Sequence, residues 1–396
     1  MIHPTAELLF DHEQIRMDLL RERAFNLRWA AVEPGVIPLT AADPDFPCAP
    51  EIAEAIARYA QDRYLSYAPA AGLAFFREAM ALNYRERKQV NVKPEFVIAC
   101  DSAAFGIYMV CKAFLNPGDE AIVFNPVDFL FKHCVEATGA QATLFEVPLN
   151  PNEQVDFEQL RQLISSRTKL ICLCNPLNPT GKVFTRQELE ALANIAHQHN
   201  LIILSDEIWS DIVFEPAVYV SMAAIPAAEQ FTIVVTGFSK SYGLAGLRAG
   251  AILSFNQEHF ERLMEASGHR STVHGCNVLA QVAAAAALTE AQDWLASFLD
   301  HLHRMRDLTV NALNELPGVS CYAPQGCYVA FANIAATGCT AEEIHARWLT
   351  EAKVSVVPGL PRWFGSRADN HVRLSFATSA TILEEAFERI KKIHRP

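Results

Sequence analysis

One lysine, Lys240, lies in a segment whose residue types can bind a carbonyl compound covalently and hold a phosphate. The segment covers residues 236–250 and reads TGFSKSYGLAGLRAG. A lysine amine condenses with an aldehyde to give a Schiff base. Arg248 follows beyond two glycines, so its guanidinium can fold back and clamp a phosphate through two hydrogen bonds. Pyridoxal phosphate (PLP) carries both an aldehyde and a phosphate, and the segment therefore indicates a PLP site.

An acidic residue, Asp206, follows the apolar run 201–204, which predicts a buried strand. Ligands of open α/β sheets gather at the carboxyl ends of the strands. A carboxylate against the pyridine nitrogen of PLP keeps that nitrogen protonated and makes the ring a strong electron sink. Asp206 can also be interpreted as the N-cap of a following helix. The spacing to Lys240, about one further strand with its connections, favours the cofactor role.

An amide, Asn178, lies in the string NPLNPTG at residues 175–181, directly after the apolar run 169–174. The run predicts another buried strand, and Asn-Pro and Thr-Gly pairs form turns, so the string marks the carboxyl end of that strand. An amide at this point can donate to a phenolate oxygen on a cofactor ring. The alternative is an ordinary turn between a strand and a helix.

A buried cation is predicted near the end of the chain, where Arg373 lies in the string HVRLSFA at residues 371–377. A lone charge in an apolar strand is costly unless it is paired. A guanidinium there suits two parallel hydrogen bonds to the α-carboxylate of an amino acid. The alternative is a structural ion pair with a nearby acid.

These four motifs, in their order along the chain, resemble the signature of the class I/II aminotransferases, a family of fold-type I PLP-dependent enzymes. The resemblance covers nearly the whole chain. It implies an α/β fold with a mostly parallel, seven-stranded-type sheet in the large domain and a smaller α/β domain built from both termini. The alternation of strands and helices between residues 160 and 253 also predicts such a sheet. The expected domains are 1–45, contributing to the small domain, 46–285, the large PLP-binding domain, and 286–396, the C-terminal small domain. Within the last of these, residues 319–333 and 354–357 are predicted to form strands.

The resemblance also implies a role for each motif. Lys240 holds PLP as a Schiff base and, once released, takes the proton from the α-carbon of the substrate. Asp206 partners the pyridine nitrogen, Asn178 the 3-oxygen and Arg373 the substrate carboxylate. The segment around Ala42, where glycine is usual, runs past that carboxylate. The phosphate is held by small or hydrogen-bonding residues: Ser102, Ala103, Ala104, Ser239, Arg248 and, from a second copy of the chain, Tyr67.

Two positions depart from the family pattern. An aromatic residue normally lies two positions after Pro126 and stacks on the pyridine ring, but this chain has Asp128 there and Phe129 next to it. Either Phe129 covers the ring, which we favour, or an acid lies near the cofactor, where it contacts a basic substrate or changes the course of the reaction. Trp209 replaces a tyrosine that donates to the 3-oxygen. Loss of that hydroxyl is expected to raise the pKa of the Schiff base.

Two reactions remain open at this point. Most features favour transfer of an amino group between an L-amino acid and a 2-oxo acid, and the string YAPAAG at residues 67–72 is typical of aminotransferases. The strings ADPDFPCAP at 42–50 and SDEI at 205–208 also resemble the cystathionine β-lyase-like C–S lyases, which eliminate a β-leaving group. A non-catalytic PLP-binding regulator is the third possibility, although Lys240, Asp206 and Arg373 argue against it. The expected assembly is a homodimer with shared active sites.

The amino-acid composition limits the binding partners and the cellular compartment that we expect. Hydrophobic residues make up 51% of the 396 residues and charged residues 20%, which is typical of a globular protein. The net charge of −12 argues against nucleic acids and anionic membranes as partners. Ten scattered cysteines without paired metal-ligand spacing indicate reduced core thiols and no metal site. No signal peptide or membrane span is evident. About 40 non-basic residues precede the PLP motifs, which is too few for the DNA-binding winged helix of a transcription factor fused to an aminotransferase-like domain. We expect a cytoplasmic protein.

Overall fold

The computed structural model describes residues 9–394, and its strands form three sheets. In chain order the strands are β1 (Ile37–Pro38), β2 (Val97–Cys100), β3 (Glu120–Asn125), β4 (Gln141–Glu146), β5 (Thr168–Cys174), β6 (Ile202–Asp206), β7 (Thr232–Gly237), β8 (Gly250–Leu253), β9 (Val329–Asn333), β10 (Val354–Ser355), β11 (Val357–Pro358) and β12 (His371–Ser375). The seven strands from β2 to β8 make the large sheet, which confirms the predicted seven-stranded architecture.

The large sheet has the strand order β2-β8-β7-β6-β5-β3-β4, and only β8 runs antiparallel to its neighbours. Every residue of β2, β3, β7 and β8 is buried, as expected for strands covered by helices on both faces. Because β3, β5, β6 and β7 are parallel, their carboxyl ends meet at one edge of the sheet. Asp206 is the last residue of β6, and the loops that carry Asp128, Asn178 and Lys240 begin at this edge.

The helices alternate with the strands of the large sheet and then dominate the C-terminal half. They are α1 (Met17–Arg23), α2 (Pro50–Gln61), α3 (Ala74–Lys88), α4 (Ala103–Phe114), α5 (Leu130–Glu136), α6 (Phe157–Gln162), α7 (Arg186–Gln198), α8 (Gln257–Ala266), α9 (Val278–Thr289), α10 (Gln292–Asn314), α11 (Ala341–Thr350), α12 (Pro361–Phe364) and α13 (Ala380–His394). Helix α4 begins after Ser102, whose hydroxyl accepts a hydrogen bond from the backbone N–H of Phe105 (3.1 Å) and so caps the helix.

The two small sheets join the beginning of the chain to its end. Strand β1 pairs in parallel with β10, and β12 lies between β11 and β9 in an antiparallel sheet. The prediction of one strand over 319–333 was too long, because strand pairing in a continuous ladder begins only at Val329. The predicted strand 354–357 is two short strands in different sheets. We propose the domain boundary near residue 45 because β1 pairs with a C-terminal strand. The boundary near residue 285, which falls within α9, stays a prediction.

Membrane-spanning helices, metal clusters and disulfides are absent from the described residues. Within residues 9–394 no helix is long and apolar enough to cross a membrane. In the same range no group of three or more His, Cys, Asp or Glu side chains is arranged to hold a metal ion. All ten cysteines are free, and all but Cys48 and Cys339 are buried.

Candidate active site

A cavity of about 1230 Å³ opens at the edge of the large sheet where the parallel strands end. Every predicted site residue except Tyr67 lines this cavity: Ala42, Ser102, Ala103, Ala104, Phe129, Asn178, Asp206, Trp209, Ser239, Lys240, Arg248 and Arg373. Tyr67 lies elsewhere on the surface of the chain, with 89% of its area exposed, and its ring is 5.7 Å from that of His274. The fold therefore brings the four motifs together from strands that are distant in sequence.

The amine of Lys240 is held at the centre of the cavity. The residue lies in the turn after β7, and its Nζ donates to the backbone carbonyl of Ala42 (2.7 Å). Nζ also lies 5.4 Å from the centre of the Trp209 ring. Burial lowers the pKa of Lys240, while the nearby carboxylate of Asp43 acts in the opposite direction. A lowered pKa increases the fraction of neutral amine, which is the form that reacts with an aldehyde or accepts a proton.

The carboxylate of Asp206 is buried at the end of β6 without a cationic partner. Its Oδ1 accepts a hydrogen bond from the backbone N–H of Ile208 (3.1 Å), and no described Lys, Arg or His side chain pairs with it within 4 Å. Burial raises the pKa of Asp206 to about 7, and the negative charges of Asp128 and Glu207 act in the same direction. No helix begins here, so the N-cap interpretation is wrong. The site suits a cation placed against Asp206 from the cavity.

The guanidinium of Arg373 is buried in β12 and contacts only neutral groups. It donates to the side-chain oxygen of Asn178 (3.2 Å) and to the carbonyl of Thr40 (3.1 Å), and its Nε has no partner. Among the described residues no acid lies within ion-pair distance of it, so the structural ion pair considered above is not formed. Burial of this cation lowers its pKa. The charge of Asp128 acts in the opposite direction, but no acid forms an ion pair with the guanidinium. A buried guanidinium of this kind is suited to an anionic ligand.

The amino end of helix α4 lies close against strand β8 because Gly250 leaves room for it. A Cβ on Gly250 would lie 2.7 Å from the carbonyl carbon of Ser102 and 2.9 Å from the backbone nitrogen of Ala103. Free backbone N–H groups at a helix N-terminus bind phosphate. Arg248, which has a left-handed φ of 55°, also lines the cavity. Its guanidinium has no hydrogen-bond or ion-pair partner among residues 9–394.

We expect Gly250→Ala to weaken cofactor binding by at least about tenfold and to destabilise the protein by about 1–3 kcal/mol, because the added methyl group would push the start of α4 away from the sheet. Fluorescence titration of the cofactor-free protein with PLP, together with thermal unfolding, measures both effects. Gly246→Ala is the matched control, because a Cβ at Gly246 meets no atom within 4 Å. Equal affinities for the two variants would contradict the packing argument.

The two departures from the family pattern take definite positions. Asp128 accepts a hydrogen bond from the side-chain amide of Asn178 (3.1 Å), whereas Phe129 lies at the mouth of the cavity, 43% exposed, with its ring edge-on to Trp363. The structure therefore favours the second interpretation, an acid within the site, and a ring-covering role for Phe129 stays a prediction. Trp209 is buried and packs edge-on against Tyr328, with ring centres 4.7 Å apart.

Two contributions to the site were missed by sequence reasoning. The hydroxyl of Tyr328 donates to the Ala42 carbonyl (3.1 Å), the same oxygen that accepts from Lys240. Ser241 donates to Asp211 (3.0 Å), which fixes the turn next to the lysine. A tyrosine next to an apolar strand and an acid after a strand carry no signal that would single them out, since each contact depends on how distant segments pack.

Comparisons with known proteins agree with this geometry. Residues 34–390 match the family described as aminotransferase class I and II. The chain belongs to this family. It is 32% identical to an aspartate aminotransferase of Pyrococcus abyssi over 391 residues, covering 96% of this chain and 97% of that one. It is 31% identical to an aspartate aminotransferase of Geobacillus stearothermophilus over 379 residues, covering 94% of each.

Solved structures show the same fold in other members of the family. An aromatic aminotransferase from Pyrococcus horikoshii OT3 superposes on this aminotransferase with a TM-score of 0.85, 28% identity and coverage of 91% of this chain and 96% of that one. A PLP-bound putative aminotransferase from Clostridium difficile 630 gives a TM-score of 0.87, 26% identity and coverage of 95% and 98%. Both matches span the large and the small sheets.

PLP is the cofactor of this aminotransferase, and the residues present fit it. The amine of Lys240 is available for the aldehyde, and the unpaired carboxylate of Asp206 for the ring nitrogen. The space kept by Gly250 at the start of α4, together with the unpartnered Arg248, suits the phosphate. Each group of the cofactor thus has a counterpart in the cavity that makes no ion pair within the described part of the chain.

Proposed function

We propose that this aminotransferase exchanges an amino group between an L-amino acid and a 2-oxo acid in the cavity around Lys240, with Arg373 holding the α-carboxylate of both. The observation that carries the proposal is the state of Arg373: a buried guanidinium with an unpaired Nε, no acidic partner, and a place in the same cavity as Lys240 and Asp206. A carboxylate bound there would satisfy the charge that burial leaves uncompensated.

Each of these side chains then has a separate role in the reaction. Lys240 Nζ takes the proton from the α-carbon of the substrate and returns it, and its lowered pKa makes the neutral amine available for this step. Asp206 keeps a positive charge on the ring nitrogen of the cofactor. Asn178 bonds to Arg373 through its oxygen and has a second N–H free for the 3-oxygen. When bound, PLP supplies an electron sink for the charge that develops at the α-carbon.

We also propose a homodimer with shared sites. Large apolar side chains are exposed near Tyr67, namely Tyr64, Leu65, Phe75 and Val273, and Tyr67 itself lies away from its own cavity. Exposed apolar patches of this kind are typical of protein interfaces. A second copy covering the patch could bring its Tyr67 hydroxyl to the phosphate. Sedimentation at micromolar concentration tests this, and a 43.9 kDa monomer that retains full activity would contradict it.

Product analysis tests the reaction itself. The purified protein with PLP is mixed with single amino acids, and the absorbance spectrum and products are followed. We expect conversion of the cofactor to its pyridoxamine form with release of a 2-oxo acid, and repeated turnover only when an acceptor 2-oxo acid is present. Pyruvate and ammonia formed from cysteine conjugates without an acceptor would instead indicate the C–S β-lyase reaction.

A further inference from the structure

A carboxylate, that of Asp128, lies beside the groups that bind the substrate. Oδ2 of Asp128 accepts from Asn178 Nδ2 (3.1 Å), and Oδ1 accepts from the backbone N–H of Leu130 (3.3 Å). Asn178 Oδ1 in turn accepts from Arg373 (3.2 Å). The acid and the guanidinium are thus separated by a single amide group, and Asp128 lines the cavity.

The chain of hydrogen bonds allows only one orientation of the Asn178 amide. A guanidinium only donates, so the amide oxygen must face Arg373, and the NH₂ group therefore faces Asp128. This donor holds the Asp128 carboxylate next to the position of the substrate α-carboxylate. It is a permanent part of the half of the cavity that the substrate occupies.

A second negative charge on the substrate would meet this carboxylate without a further unpaired buried cation besides Arg373. Among residues 9–394 the buried arginines and lysines are Arg28, Lys88, Lys182 and Arg373, and the first three are paired with Asp45, Asp211 and Glu188. Arg248 and Lys353 line the cavity but are exposed. Arg270 pairs with Glu261 and is exposed. Arg362 lines the mouth of the cavity, but its side chain is 68% exposed and lies 4.0 Å from Glu342.

The outer part of the cavity is formed by the N-terminal segment, by helix α11 and by the loop before β12. Its apolar side chains are those of Leu27, Ala31, Val32, Val36, Leu349 and Trp363. Charged side chains line it as well, but Glu33, Glu342, Lys353 and Arg362 are exposed, and His345 is half-buried. The apolar residues favour substrate side chains that gain from leaving water, whereas the charged residues remain in contact with solvent.

We propose that Asp128 is a specificity-determining residue that disfavours dicarboxylates, so that this cavity takes amino acids with uncharged, largely apolar side chains. The inference rests on the proposed function for the position of the α-carboxylate at Arg373. The proposed substrate preference differs from the substrate in the name of the relatives called aspartate aminotransferase.

Binding of unreactive carboxylic acids tests the inference without requiring turnover. Succinate and 4-methylpentanoate lack an amino group, and their dissociation constants for the PLP-bound protein can be obtained from the change in cofactor absorbance. We expect 4-methylpentanoate to bind at least about tenfold more tightly than succinate. Asp128→Asn should reduce this preference by about tenfold, mainly through tighter binding of succinate, because one charge near the clamp is removed.

Glu136→Gln is the matched control. Glu136 lies on the adjoining helix α5, is exposed, and does not line the cavity, so the variant changes the net charge equally and should change the preference less than twofold. Asp128→Ser serves as a second variant if Asp128→Asn fails to retain the cofactor, with the same expected change.

Several results would overturn the inference. One is an unchanged ratio in both Asp128 variants, or equal weakening of the two ligands, which would mean that Asp128 only orients Asn178. Tighter binding of succinate than of 4-methylpentanoate by the unmodified protein would also overturn the inference. Tighter binding of 6-aminohexanoate than of 4-methylpentanoate would overturn it too. A β-elimination product would refute the proposed reaction but leave these binding ratios interpretable, so the two failures are distinguishable.

Discussion

Lys240→Ala is expected to remove the pH-dependent visible absorbance of the lysine-bound cofactor and to reduce turnover by at least about 10³-fold, because the variant loses both the amine that binds the aldehyde and the base at the α-carbon. Absorbance spectra with added PLP and steady-state rates with an amino donor measure the two losses. Borohydride reduction followed by peptide mapping should place a pyridoxyl group on Lys240 of the unmodified protein.

Lys169→Ala controls for loss of a lysine as such, because Lys169 is an exposed residue on strand β5 of the same sheet, and the variant should leave both spectrum and rate unchanged. A pyridoxyl group on another lysine, or multiple turnover by Lys240→Ala at the original rate, would refute the assignment of the catalytic amine.

Asp206→Asn is expected to lower activity by at least about 10²-fold and, at the same time, to stabilise the cofactor-free protein at neutral pH. The pKa of Asp206 is raised from 3.8 to about 7 by burial. A raised pKa means that the folded state binds the proton more tightly than the unfolded state, so this carboxyl destabilises the fold as the pH rises from about 4, with the full cost above about 7. At 1.36 kcal/mol per pKa unit the full cost is about 4 kcal/mol.

Thermal unfolding of the cofactor-free protein between pH 5 and pH 8 measures this effect, and the stabilisation by Asp206→Asn should grow with pH and level off above 7. Asp211 provides a comparison of opposite sign. Burial raises its pKa, but the charges of Lys88 and Arg87 outweigh burial, and the net pKa is lowered. Asp211→Asn should therefore destabilise the protein at neutral pH. A pH-independent difference between the unmodified protein and Asp206→Asn would contradict the linkage argument.

The fold class and much of the candidate site could be predicted from the sequence because each motif is local. Asn178, Asp206 and Lys240 each follow an apolar strand within a few residues, and parallel strands bring such ends together. The same reasoning failed over 319–333, where Pro324 and Gly326 delay the strand until Val329. It overestimated the strand because apolar character alone does not report hydrogen-bond pairing.

Contacts between distant segments were beyond sequence reasoning. The hydroxyl of Tyr328 and the carbonyl of Ala42 are 286 positions apart, and no periodic pattern links them. Asp128 was recognised as unusual, but which of Asp128 and Phe129 enters the cavity depends on the loop after β3. Phe129 donates its backbone N–H to the carbonyl of Trp363, which fixes that loop with Phe129 at the rim.

The pairing of β1 with β10 fixes the position of the segment after β1 relative to the small C-terminal sheets. Leu39 donates its N–H to Ser355 and accepts from the N–H of Ser375, while the next carbonyls along the segment, those of Thr40 and Ala42, hold Arg373 and Lys240. A carboxylate that arrives at the guanidinium competes with the Thr40 carbonyl, two residues from the oxygen that restrains the amine. The same short stretch of backbone therefore connects recognition of the acid group to release of the lysine.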